Sequence, residues 1–283
     1  MNRLKKISLL LLLLLLLYAT GRISVVTYDS YRHIPRQPYL QMQTYDSIKI
    51  KWQTPQSEIG CVQYGKLSAD IKICEKRQTD RHSITIKGLE EGTHYSYKVL
   101  SDSLKIDNDQ RSFKTLHKDK DKPQNIWIIG DSGQAGPAQR KVLKSMQEYM
   151  QAKDLDLWLL LGDNAYRSGT QKQYNKSLFE PYSQLLKNYV PWAVIGNHDA
   201  RRWAFYDIFD FPSLGQSGGT PSNNKKFYSI EQGDLHILMI DSETTDLSKD
   251  SELLKWLEKD LTAEPKKSKK AGLQPHPYTR CRT

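Results

Sequence analysis

Three stretches decide the reading: residues 125–133, N-I-W-I-I-G-D-S-G; residues 157–166, L-W-L-L-L-G-D-N-A-Y; and residues 192–199, W-A-V-I-G-N-H-D. In each, a short apolar run that reads as a buried parallel strand gives way to Gly and then to Asp or Asn. Asp131 and Asp163 lie 32 positions apart, and Asp163 and Asn197 lie 34 apart. One strand–helix–strand crossover takes roughly 30 residues. Repeating it sets three polar loops side by side at the carboxyl edge of one sheet, where open α/β folds bind ligands. After the first loop, Pro137 suits an early helical position, and Val142, Leu143, Met146, Tyr149 and Met150 form an apolar stripe belonging to the core.

A single Gly-Asp pair after a strand has a plain explanation, because Gly, Asp and Asn cap helices and tolerate turns. Three such loops at matched spacing, one adding Tyr166 and another His198, exceed what capping requires. Bridging two cations takes a carboxylate between them, and Asp163 in the middle loop is best placed for that. Asp131 then serves the first cation, and Asn197 the second through its carbonyl oxygen. Tyr166, three positions past Asp163, would as a phenolate favour a hard trivalent ion such as Fe(III). His198 follows a ligand directly and is free to meet a phosphate or protonate a leaving group. The spacing of Gly130, Gly133 and Gly136 does not match the dinucleotide fingerprint.

Working outward, residues 35–116 change to short alternating runs at 47–52, 60–64, 82–86 and 95–100, which suggest a β-sandwich. Ile48, Ile50 and Trp52 share one face. Residues 89–97, L-E-E-G-T-H-Y-S-Y, have the form of a tyrosine corner. Residues 117–123, H-K-D-K-D-K-P, read as a charged linker to the second domain, 124–283.

Residues 1–21 carry Arg3, Lys5 and Lys6 ahead of an apolar run with nine consecutive leucines from Leu9 to Leu17. They read as a secretory signal, with an uncleaved membrane anchor as the alternative. Either way the rest of the chain is exported, and membrane contact follows only if the segment stays attached. Export permits disulfides; Cys61 and Cys74 could pair within the first domain, and Cys281 is left over. Apolar content of 38% and charged content of 26% are those of a globular chain. The net charge of +10 comes from scattered lysines and arginines, and the dense cluster at 266–270 has no interleaved aromatics. A nucleic-acid partner is not expected.

G-D-S-G, G-D-N-A-Y and G-N-H-D resemble the first three motifs of the calcineurin-like metallophosphoesterases. Tyr166 in the second motif, with the sandwich-like front, is similar to the purple acid phosphatases, and 35–116 resembles a fibronectin type III-like domain. The resemblance implies a β-sandwich domain followed by an α/β metallophosphoesterase domain, itself a helix-flanked β-sandwich. It also implies acid phosphatase chemistry at a dinuclear centre, iron plus Zn, Fe or Mn, with a metal-bound hydroxide attacking a phosphate monoester. Asp131, Asp163 and Tyr166 would ligate iron, Asp163 and Asn197 the second metal, and His198 would contact substrate.

The family also uses three later histidines, whereas only His236 and His276 follow His198. His236 lies inside the apolar run 234–240 and reads as a packed strand residue. His276 is left as a doubtful ligand. Residues 251–261 form an amphipathic helix with Leu253, Leu254, Leu257 and Leu261 on one side. The following 271–283 contain two prolines and no alternation, so no central strand is expected there. The expectation is a second domain incomplete at its C-terminus, its tail altered by a shifted reading frame or an early stop. An incomplete centre would leave the chain inactive. The alternative function is then a non-catalytic exported binding or structural protein that keeps the phosphatase platform.

Overall fold

The computed structural model describes residues 3–31, 33–106, 111–151, 153–263 and 269–273. The first element is a long helix, α1 (Arg3–Tyr31). It runs unbroken through Ala19-Thr20-Gly21 and so extends past the boundary expected at residue 21. Helix hydrogen bonds carry the chain through Gly21, and Thr20 returns its hydroxyl to the carbonyls of Leu16 and Leu17.

Seven strands follow: β1 (Arg36–Gln41), β2 (Ser47–Glu58), β3 (Cys61–Gly65), β4 (Ile71–Cys74), β5 (Thr79–Lys87), β6 (His94–Leu100) and β7 (Arg111–Lys114). They form two antiparallel sheets, ordered β1-β2-β5 and β4-β3-β6-β7. Period-two alternation puts Ile48, Ile50 and Trp52 of β2 beside Ile84 and Ile86 of β5, all buried in one core with Tyr95, Tyr97 and Val99 of β6. Trp52 stacks on His82 at 4.6 Å. The Tyr95 phenol oxygen accepts the Glu90 N–H at 2.9 Å, tying the turn before β6 to its own strand. Cys61 and Cys74 face each other across β3 and β4 and are disulfide-bonded.

His117 is buried and donates its N–H to Gln232 Oε1, so the exposed part of the charged segment begins at Lys118. Beyond it come β8 (Ile126–Ile129), α2 (Pro137–Met150), β9 (Leu157–Leu161), α3 (Gln171–Tyr174), α4 (Ser183–Leu186), β10 (Pro191–Val194) and α5 (Ala204–Ile208). Strands β10, β9 and β8 make a parallel sheet in that order. Central β9 is buried almost throughout. β8 is the outer strand, and Ile128 stays 49% exposed, so this run is less enclosed than its composition suggests. On α2, Leu143 is buried and Met146 and Met150 pack against the core, whereas Val142 and Tyr149 face solvent.

The last elements are β11 (Phe227–Gln232), β12 (Leu235–Ile240), α6 (Glu252–Ala263) and β13 (Lys269–Leu273). β12 pairs antiparallel with β11 and parallel with β13. Residues 269–273 extend this sheet at its edge, so the start of 271–283, where no central strand is expected, enters an edge strand. Backbone pairing to an existing strand suffices to order a segment whose own sequence has no alternation. His276 and Cys281 lie outside the described residues.

The two halves share one hydrophobic core. Across their contact, Tyr39 Oη donates to Ile208 O at 3.1 Å, Tyr97 Oη donates to Lys187 O at 2.8 Å, and Lys49 and Lys51 each lie 3.2 Å from Asp210.

Candidate metal centre

The three loops interlock through their backbones. Gly133 N–H donates to Asp163 O at 2.9 Å, and Tyr166 N–H returns a bond to Gly133 O at 3.2 Å. A Cβ at Gly133 would stand 2.3 Å from Ala165 N, and one at Gly196 would stand 2.2 Å from Asp163 N. Glycine is required at both positions by close approach of another strand's loop. Asp131 and Asp163 themselves adopt left-handed backbone, with φ of 52° and 53°. Side chains rarely sit there without compensation, and such strain concentrates at functional sites.

The strained turns aim both carboxylates at one phenol. Tyr166 Oη lies 2.6 Å from Asp131 Oδ1 and 2.9 Å from Asp163 Oδ2. Burial, with hydrogen bonds to the two carboxylates, pushes the Tyr166 phenol well above the ordinary tyrosine range. Asp163 also accepts the His198 N–H on Oδ1 at 2.9 Å. The His198 ring packs 4.4 Å from the Tyr166 ring, and its Nδ1 donates to Arg167 O at 2.6 Å. That bond leaves Nε2 turned to the carboxylates, 3.9 Å from Asp163 Oδ2. Asn197, half-buried, sits in the turn between Gly196 and His198.

Tyr166 is thus in contact with Asp131, Asp163 and His198, with Asn197 adjacent to His198 along the chain. His236 is not among them. It is fully buried in β12, with Nε2 2.6 Å from Asp260 Oδ2, as expected of a packed strand residue. Among the described residues, no group of three or more His, Cys, Asp or Glu side chains is placed to hold a metal. The convergent donors are two carboxylates and a phenol.

Sequence reasoning missed the residue that locks the loops. Asp199, completely buried, accepts the N–H groups of Asn164, Ala165 and Gly196 at 3.0–3.2 Å, the Asn164 side-chain amide at 2.9 Å and the Tyr174 hydroxyl at 2.6 Å. Burial pushes its carboxyl up to about 6, against the opposing pull of the Tyr174, Asn164 and Gly196 bonds. In the sequence Asp199 follows His198, where an acid reads as an ordinary helix-start residue.

A profile of the calcineurin-like phosphoesterase family matches residues 124–281, more than half of the chain and all three loops. The chain belongs to this family. Among solved structures, "Structure of PhoD" is similar at 12% identity and TM-score 0.51, over 78% of this chain and 54% of that one. The likeness concerns the fold, and the present chain spans about half the length of that protein. The third fibronectin III domain of human KIAA0343 protein is matched at 15% identity and TM-score 0.22, over 29% of this chain and 82% of that one. No curated protein matches the sequence.

The convergent donors of the loop edge are all oxygen, a set that suits hard cations. Three oxygens from two strand ends already meet around one phenolic proton, and a cation replacing that proton would be held by all three.

Proposed function

We propose that this chain is a metal-dependent hydrolase of phosphate monoesters, of the purple acid phosphatase kind, working outside the cytoplasm. The observation that carries the reading is the meeting of Asp131, Asp163 and Tyr166 through a single phenol oxygen at the ends of two parallel strands. In this reading Asp131, Asp163 and Tyr166 hold iron, and Asp163 and Asn197 face a divalent partner, Zn, Fe or Mn. The bound metals would screen the charge of the phosphate and make water acidic enough to act as nucleophile.

The protein's own part is positional. Asp199 clamps the second loop to the third, and the close backbone contacts at Gly133 and Gly196 fix their spacing. In this reading His198, held through its Nδ1–H by Arg167 O, presents Nε2 to the ester, and in its doubly protonated form it would pass the Nε2 proton to the departing oxygen.

Turnover of an aryl phosphate by the full chain supplied with iron and zinc or manganese tests this. Asp163→Asn should reduce the rate at least 100-fold, and His198→Ala by about 10²–10⁴-fold. Turnover indifferent to both substitutions would sink the assignment.

One observation favours a second reading, a non-catalytic binding protein. Among the described residues near the loops, His198 is assigned to the substrate and His236 is committed to Asp260, so neither imidazole is left to ligate a cation. Phosphate-ester binding without turnover in the metal-supplied protein would select it.

A further inference from the structure

Helix α1 has no protein covering its apolar length. Ile7, Leu9 to Leu17, Ile23 and Val25 are each 50–69% exposed. Nine leucines in succession advance around every side of the helix, so this is not the one-sided pattern of a helix lying in a membrane surface. The stretch Ile7–Asp29 is long and apolar enough to cross a bilayer. From Ile7 to Val26 the helix extends about 30 Å at 1.5 Å per residue, the thickness of a hydrocarbon core. Arg22 falls near the far end of that length, where a long side chain reaches the headgroups. Within that length Thr20 turns its hydroxyl onto helix carbonyls, as a lipid surrounding demands. Arg3, Lys5 and Lys6 form a basic flank before the span. The Cys61–Cys74 disulfide places the folded body on the oxidising side of the membrane.

The far end of α1 does not lead into a free stalk. Asp29 is 7% exposed, and its carboxylate accepts the backbone N–H of Gln171, at 3.2 Å to one oxygen and 3.3 Å to the other. That N–H opens α3 and has no partner within its own helix. Gln171 is itself fixed, its Oε1 accepting from buried Arg36 at 2.7 Å and its amide donating to Asp207 at 3.0 Å. It lies five residues after Tyr166, so the chain keeps their Cα atoms within about 18 Å.

We infer that α1 stays on the mature protein as a bilayer-spanning anchor, and that Asp29 clamps its outer end to the segment following Tyr166, holding the loop edge at the membrane surface. The partner is the lipid bilayer, with its anionic leaflet on the Arg3, Lys5 and Lys6 side.

The full chain, expressed with its own N-terminus, should stay with membranes through an alkaline carbonate wash and show an intact mass that includes residues 7–31. A wash-released species beginning near Gly21 or Arg22 would overturn the anchor. For the clamp, hydrogen exchange is followed in lipid nanodiscs on wild type, Asp29→Ala and Asp29→Asn. The Gln171 amide should exchange at least tenfold faster in Asp29→Ala while the β9 and β10 amides keep their protection. If Asp29→Ala does not fold, the same comparison is made on Asp29→Asn. Unchanged exchange at Gln171 beside intact sheet amides would overturn the clamp.

Discussion

The two antiparallel sheets at the front and the loop edge of the parallel sheet are stabilised by opposite means. In the front sheets, Ile48, Ile50, Trp52, Ile84 and Ile86 are buried by simple alternation, and a disulfide joins neighbouring strands. At the loop edge, order rests on polar bonds around Asp199 and on backbones that touch at Gly133 and Gly196. Two of its carboxylates also sit in left-handed backbone, at a cost of about 1–2 kcal/mol each. A region built on apolar burial tolerates local change with a loss of stability alone. A region built on converging carboxylates couples stability to the geometry of the site.

The largest expected effects test that contrast directly. Trp52→Ala and Asp199→Ala should each reduce unfolding free energy by about 3–5 kcal/mol in urea titrations, the first by emptying core volume, the second by stranding buried donors. Their consequences for metal binding should differ. Folded Trp52→Ala keeps wild-type metal content, and Asp199→Ala loses it. Equal metal content in the two variants would break the comparison.

An intermediate effect is expected at Asp260, which has a purely structural task. Burial raises its carboxyl, but bonds from His236, the Thr220 N–H and Ser229 outweigh this and hold it below the usual aspartate range. A depressed folded-state pKa adds stability that is present above the unfolded value, about pH 4, and is lost as pH falls through the folded one. Asp260→Asn should therefore cost roughly 2 kcal/mol at pH 7 and flatten the acid limb of the stability profile, with metal content unchanged. An acid limb as steep as wild type would contradict the assignment.

The smallest effect sharpens the strain argument. Asp131→Gly places the residue suited to positive φ where an aspartate now stands. Stability should hold or rise by up to about 1 kcal/mol while metal binding falls, the signature of a residue kept for function. A clear destabilisation would show Asp131 to be structural.

Legibility in the sequence follows the same division. The front strands could be read because one physical rule, burial of alternate side chains, acts at every position of 47–52 and 82–86. The three loops could be read because strand and turn residues recur at crossover spacing, and His236 because it interrupts an apolar run without ending it. Asp199 could not, since its partners belong to Asn164, Ala165 and Tyr174 on other elements. β13 could not either: K-K-A-G-L is a strand through its parallel pairing from Leu235↔Lys269 to Met239↔Leu273, a property of β12 as much as its own. The length of α1 could not be read, because Ala19-Thr20-Gly21 suits a cleavage site, whereas the helix continues through it to Tyr31.

The central claim is that the oxygens of Asp131, Asp163 and Tyr166 make one cation site at the loop edge. Elemental analysis of the purified full chain, loaded with iron and dialysed free of excess, tests it against Asp163→Asn treated in parallel. At least one hard cation per wild-type chain, removed by a chelator, is expected, and none in the variant. Retention of the cation by Asp163→Asn, or a wild-type chain that holds no cation, would contradict it.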